Sequence, residues 1–150
     1  MKIKKKSERL AELAPKIMGA FHDLGPQHPE GEPMTMRQYQ ALIILHANKK
    51  LTIGEFCEKL NLAASTGTEL ANRMISLGYF KKKSDSPDKR QAVLSVTPKG
   101  LELLEKRRDR LTQMFDRFLS RFSPQDQEEF VDSFEHIWDI IRKYQGLPRK

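Results

Sequence analysis

The sequence predicts a mainly α fold with a small β-hairpin wing, and three observations carry that prediction. Apolar residues recur at helical spacing over most of the 150 residues. The period changes once, after Gly78, where two runs rich in β-formers flank a Ser/Asp/Pro turn. Just before that change, two short helical segments are separated by only three or four residues.

Each element follows from its own residues. Leu10, Leu13, Ile17, Met18, Phe21 and Leu24 mark an amphipathic helix over residues 5–24, with Pro15 as a kink or as the true start. Gly25–Pro33, "GPQHPEGEP", reads as a loop. Thr35 caps a helix with Tyr39, Leu42, Ile43 and His46 on one face, and "NKK" ends it. Thr52 and Glu55 have the spacing of a capping box and open a two-turn helix that stops near Leu60–Asn61. The next helix carries Leu70, Met74 and Leu77 on a stripe and ends at Gly78. "YFKKK" and "QAVLSVT" read as strands around a turn at Ser84–Asp88. Thr97-Pro98 starts a long helix with Leu101, Leu104, Leu111, Met114 or Phe115, Phe118 and Phe122. Ser123-Pro124 starts the last, whose apolar face is Phe130, Phe134, Ile137, Trp138, Ile141 and Tyr144. The middle of this order is a winged helix-turn-helix. The outer helices carry more apolar surface than so small a core can cover, and a dimer interface would absorb it.

Composition narrows the function. The net charge is +7 with pI near 9.6, which points to a polyanion or an acidic partner. The charge is segregated: residues 81–110 hold ten Lys/Arg against five Asp/Glu, while residues 123–141 hold six Asp/Glu and no Lys/Arg. The longest apolar run is Ala41–Leu45, far short of the ~20 residues of a membrane helix. The N-terminus has no apolar h-region, so a cytoplasmic protein is expected. A single cysteine, Cys57, excludes an intrachain disulfide and a cysteine-based metal cluster, and reads as a small buried filler. His22, Asp23, His28, Glu30, Glu32 and His46 straddle a loop without a tight ligand spacing, so no metal site and no cofactor are expected. No phosphate loop or nucleophile set suggests an enzyme.

The stretch "LNLAASTGTELANRMISLGYFKKKSDSPDKRQAVLSVTPKG" resembles the DNA-binding core of MarR-type transcriptional regulators. That family pairs a Leu-x-Leu and a Ser/Thr-rich recognition helix with a Leu-x-x-x-Gly end. Its wing reads Asp-x-x-Asp-x-Arg and is followed by Leu-Thr-x-x-Gly. Here the wing is Asp85-Ser86-Pro87-Asp88-Lys89-Arg90, followed by Val96-Thr97-Pro98-Lys99-Gly100. "TMRQYQALIIL" is similar to the family's second helix, and the order of the flanking helices agrees. The resemblance implies one MarR-like domain over residues 1–150. Residues 35–100 would form the DNA-binding lobe, and residues 5–24 and 98–146 the dimerisation helices. It implies a triangular homodimer on a palindromic double-stranded operator, and a small, aromatic effector that releases it. Phe21, Tyr39 and His46 are the candidates for lining an effector pocket, with core packing as their alternative role.

Within that frame, the start of the recognition helix, which reads base edges in the major groove, carries Ser65, Thr66, Thr68 and Glu69; the short hydroxyls suit phosphates and close backbone approach, and Arg73, two turns in, could reach a phosphate or a guanine. Gly67 would ease backbone approach to the DNA. Glu69 departs from the basic residue many relatives carry; it can accept from cytosine N4 or be a plain surface residue. Ala63 replaces a frequent capping Ser, a loss of roughly 0.5–2 kcal/mol in that cap. Arg90 would enter the minor groove, oriented by Asp88, while Lys81, Lys82, Lys83 and Lys89 contact phosphates. The competing function is a winged helix that binds protein and not DNA, which Glu69 and Ala63 keep open.

Overall fold

The computed structural model describes residues 2–22, 34–84 and 92–145. The order is α1 (Ile3–His22), α2 (Met36–Asn48), β1 (Leu51–Thr52), α3 (Ile53–Lys59), α4 (Ala64–Ser76), β2 (Phe80–Lys83), β3 (Val93–Val96), α5 (Pro98–Leu119) and α6 (Pro124–Arg142).

The predicted starts are where capping chemistry puts them. Thr35 and Gln38 form a full capping box, each side chain meeting the other's backbone N–H at 3.1 Å. Thr52 and Glu55 repeat it, also at 3.1 Å. Thr97 accepts from the Gly100 N–H, and Ser123 from the Asp126 N–H, each followed by Pro at the first turn.

The hairpin is part of a three-stranded antiparallel sheet of order β1-β3-β2. β1 pairs Leu51 with Leu94 and Thr52 with Val93. Two residues cannot display a period of two, and the helix cap at Thr52 dominates the local signal, so this strand is invisible in the sequence. One face of the sheet buries Phe80 and Leu94 against α2, α3 and α4. The core between them holds Leu42, Leu45, Phe56, Ala71 and Met74. Phe56 and Phe80 meet edge-on with ring centres 5.7 Å apart.

Several element details differ from the sequence reading. α1 begins at Ile3 and runs through Pro15, so Pro15 does not mark its start. The buried face of α2 is Tyr39, Ala41, Leu42 and Leu45; Ile43 and His46 are exposed. Ala41 is fully buried, so the inward face of α2 runs through a small residue that an apolar stripe drawn by side-chain size passes over. Phe122 lies past the end of α5, in the turn to α6. It still packs with Phe118 at 4.9 Å and Phe130 at 5.7 Å. Gln127 closes that turn by donating to the Leu119 and Phe122 carbonyls at 3.0 and 3.2 Å.

The outer helices stand apart from the core. Neither α1 nor α6 has a buried residue. α1 touches the body through Phe21, whose ring lies 5.5 to 6.3 Å from those of Phe115, Phe118, Phe130 and Phe134. Leu10, Leu13, Met18, Ile137 and Trp138 are all more than half exposed. Among the described residues no helix is long and apolar enough to cross a membrane.

Candidate nucleic-acid interface

The turn from α3 to α4 is set by backbone geometry. Leu62 N–H donates to Cys57 O at 2.9 Å and Asn61 N–H to Glu58 O at 3.0 Å. This is a Schellman closure, and it needs a left-handed residue at Asn61, where φ is 54°. Asparagine tolerates that conformation better than other side chains. α4 then starts at Ala63 without a side-chain cap, as the sequence implies. The N–H groups of its first turn therefore have no N-cap side-chain oxygen to donate to.

Helical spacing sorts the α4 side chains. Gly67, Ala71 and Met74 are buried, and Ser65, Thr66, Glu69 and Arg73 are exposed on the other side. Thr68 is half-buried on the flank. Gly67 therefore faces the protein, not a DNA backbone: a Cβ built on it would lie 2.2 Å from Cys57 Sγ. Cys57 is buried, with Sγ 3.9 Å from the Ala64 carbonyl oxygen. Two more exposed residues, Asn72 and Ser76, share the outward stripe and were missed in the sequence reading. Steps of three, four and seven from Ser65 and Glu69 would have found them. Asn72 brings an amide that can donate and accept together, the pattern that reads adenine.

The far end of α4 is fastened to α5. Gly78, with φ 83°, closes a second Schellman turn through Tyr79 N–H to Met74 O and Gly78 N–H to Ile75 O, both 3.0 Å. The Thr97 hydroxyl donates to Gly78 O at 2.5 Å, and Thr97 N–H to Tyr79 O at 3.0 Å. Lys99 Nζ donates to Leu77 O at 3.1 Å and lies 5.4 Å from the centre of the Tyr79 ring.

β2 carries Lys81, Lys82 and Lys83, all exposed. Strand alternation divides them. Lys81 and Lys83 pair with Ser95 and Val93 on one face, and Lys82 pairs with Leu94 on the other. The lysines thus flank the strand on both sides. Asp88, Lys89 and Arg90 lie outside the described residues, as do Asp23, His28, Glu30 and Glu32.

Phe21, Tyr39 and His46 are not brought together. Phe21 sits in the aromatic cluster of α5 and α6. Tyr39 is buried, with the Arg107 guanidinium 5.4 Å from its ring centre and Arg107 itself only 1% exposed. His46 points to solvent. An open cleft of about 1000 Å³ lies between α2, α3 and α6, edged by Arg37, Ile43, Lys59 and Trp138, and none of the three lines it. Among the described residues no three His, Cys, Asp or Glu side chains converge as metal ligands. At the base of α3 the Thr52 backbone N–H donates to Glu55, holding its carboxyl below the ordinary value of 4.5; the Thr52 hydroxyl adds to this.

Comparison with known proteins agrees with this geometry. The model of the MarR family matches residues 32–91. An uncharacterised HTH-type transcriptional regulator of Bacillus subtilis, YhjH, is 22% identical over 81% of this chain and 69% of its own. The organic hydroperoxide resistance transcriptional regulator of the same organism is 34% identical over 49% of this chain; the chain spans half of that relative's length. Among solved structures, a MarR family protein from Bacillus stearothermophilus has a TM-score of 0.74 at 22% identity, covering 95% of this chain and 99% of that one. A mutant of MarR from E. coli, complexed with operator DNA, has a TM-score of 0.68 at 15% identity, covering 99% and 100%. The PcaV transcriptional regulator of Streptomyces coelicolor, in complex with its natural ligand, has a TM-score of 0.63 at 27% identity, covering 86% and 91%.

Proposed function

We propose that the chain is a MarR-type winged-helix, DNA-binding transcriptional regulator and not an enzyme, and that it is a cytoplasmic homodimeric repressor released from a palindromic operator by a small aromatic ligand. The observation that carries the DNA reading is the outward stripe of α4. Ser65, Thr66, Glu69, Asn72 and Arg73 are solvent-exposed on one side of a helix whose other side is locked into the core. Such a helix fits the major groove, and the exposed lysines of β2 are proposed to meet flanking phosphates. At the wing, Arg90 is proposed to enter the minor groove with Asp88 holding its direction and Lys89 on phosphate.

Residues 35–100 would act as the DNA-binding lobe within a single domain of 1–150, and residues 5–24 and 98–146 as the dimerisation helices. Two helices with apolar stripes and no buried residue support that role. A dimer places two lobes on half-sites one helical turn apart, and a ligand favouring another lobe spacing would release the DNA. The complex of PcaV with its natural ligand supports an effector by analogy. Phe21, beside α5 and α6, and Tyr39, beside Arg107 of α5, stay proposed effector contacts as separate positions, with His46 a third on the exposed side of α2.

The test is selection from random duplexes, then anisotropy titration of the winner at several salt concentrations, for wild type, Arg73→Ala and Arg90→Ala. The expected winner is palindromic with half-sites about 10 bp apart. Its log–log salt slope should steepen by about 0.9 for each phosphate neutralised. Both variants should bind it more weakly. No enrichment, with weak binding indifferent to Arg90, would instead favour the protein-binding winged helix.

A further inference from the structure

We propose that Cys57 and Gly67 form a positioning pair that sets how far the recognition helix stands from α3, and through it the sequence-specific contacts of α4. The inference rests on the DNA-binding reading above.

Gly67 occupies the interior of a 13-residue helix, where glycine is disfavoured relative to alanine. Its backbone φ is not in the left-handed range, so no turn requires it. What requires it is space. A Cβ at this position would lie 2.2 Å from Cys57 Sγ, 3.1 Å from Cys57 Cβ and 3.4 Å from Cys57 Cα. The α4 backbone rests directly on the α3 side chain. The sulfur fills the gap that a side chain at 67 would otherwise occupy, so the two positions share one volume. Packed interiors do not yield to an added methyl without shifting an element.

The direction of any shift is set by the rest of α4. Gly67 lies on the side of the helix opposite Ser65 and Glu69, two residues away either way along the chain. Pressure at Gly67 pushes those side chains outward. The other end of α4 cannot follow freely, because Gly78, Thr97 and Lys99 tie it to α5. The result is a tilt about the C-terminal end, largest at Ser65 and Thr66. Base-edge hydrogen bonds are sensitive to such a tilt, while phosphate attraction is not.

The experiment is a four-protein cycle of wild type, Gly67→Ala, Cys57→Ala and the double variant, which moves one heavy atom from position 57 to 67. Thermal unfolding without DNA reads the packing. The ratio of affinity for the selected operator to affinity for an unrelated duplex reads positioning. Gly67→Ala is expected to lower that ratio by about tenfold, with the unrelated duplex bound as before. The double variant loses the clash with Sγ but keeps the 3.1 Å approach to the position-57 Cβ, so it is expected to regain most of the ratio and to unfold above Gly67→Ala. If Gly67→Ala alone does not fold, the double variant is compared with Cys57→Ala; recovered folding and ratio support the pair. A ratio unchanged in Gly67→Ala, even with coupled unfolding temperatures, makes the contact mere packing and overturns the proposal. So does a double variant as impaired as the single one. A wild type that selects no duplex overturns both readings, and is recognised before any variant is compared.

Discussion

Glu55 closes the cap of α3 through hydrogen bonds with Thr52, and these favour its ionised form. Its folded pKa is lowered, so its contribution to stability is present above the ordinary 4.5. It is lost as pH falls through the lower folded value. Glu55→Gln should keep the hydrogen-bonding geometry but remove this dependence. Chemical denaturation of both proteins between pH 3 and pH 6 checks it, with the two midpoints converging at the acid end (roughly the carboxylate range). Asn72 makes a second claim at this scale. Its place on the outward stripe predicts that Asn72→Ala loses about 1–3 kcal/mol of discrimination at one base-pair position. Binding to operators substituted at each position locates that base pair; equal loss across all of them would place Asn72 on phosphate.

The capped starts of α2, α3, α5 and α6 behave as their sequences predict, because a cap depends on residues three apart and on nothing distant. The exception is Thr97, whose side chain works twice. It caps α5 by accepting from Gly100 N–H and also donates to Gly78 O at the end of α4. Thr97→Ala should therefore cost more than an ordinary cap, about 2 kcal/mol. Thr97→Ser, which retains both bonds, should recover most of it in urea denaturation. What the sequence hid at this scale was β1, two residues long, and the orientation of α2 that buries Ala41 and exposes Ile43. Both follow from partners far along the chain: β3 for the first, the core wall for the second.

Across the whole molecule, apolar surface is left where a single chain cannot cover it. Trp138 is 52% exposed and Leu10 63%. In the proposed dimer a second copy would bury both stripes. If the proposed dimer holds, Trp138→Glu is expected to shift sedimentation from dimer towards monomer and to weaken operator binding with it, since in that dimer two lobes bind together. A variant that stayed at the wild-type mass would place the interface elsewhere.

The sequence alone determined the order of the helices, their caps, the switch to a hairpin and the segregation of charge, because each depends on neighbours within a turn or two. It also singled out Ser65, Thr66, Glu69 and Arg73, which helical spacing turns to one exposed side of α4. Only the tertiary structure decided that Thr68 sits on the flank and that Gly67 faces inward onto Cys57. Which side of α4 is inside depends on where α3 presses against it, and that contact is made ten residues away, across a turn.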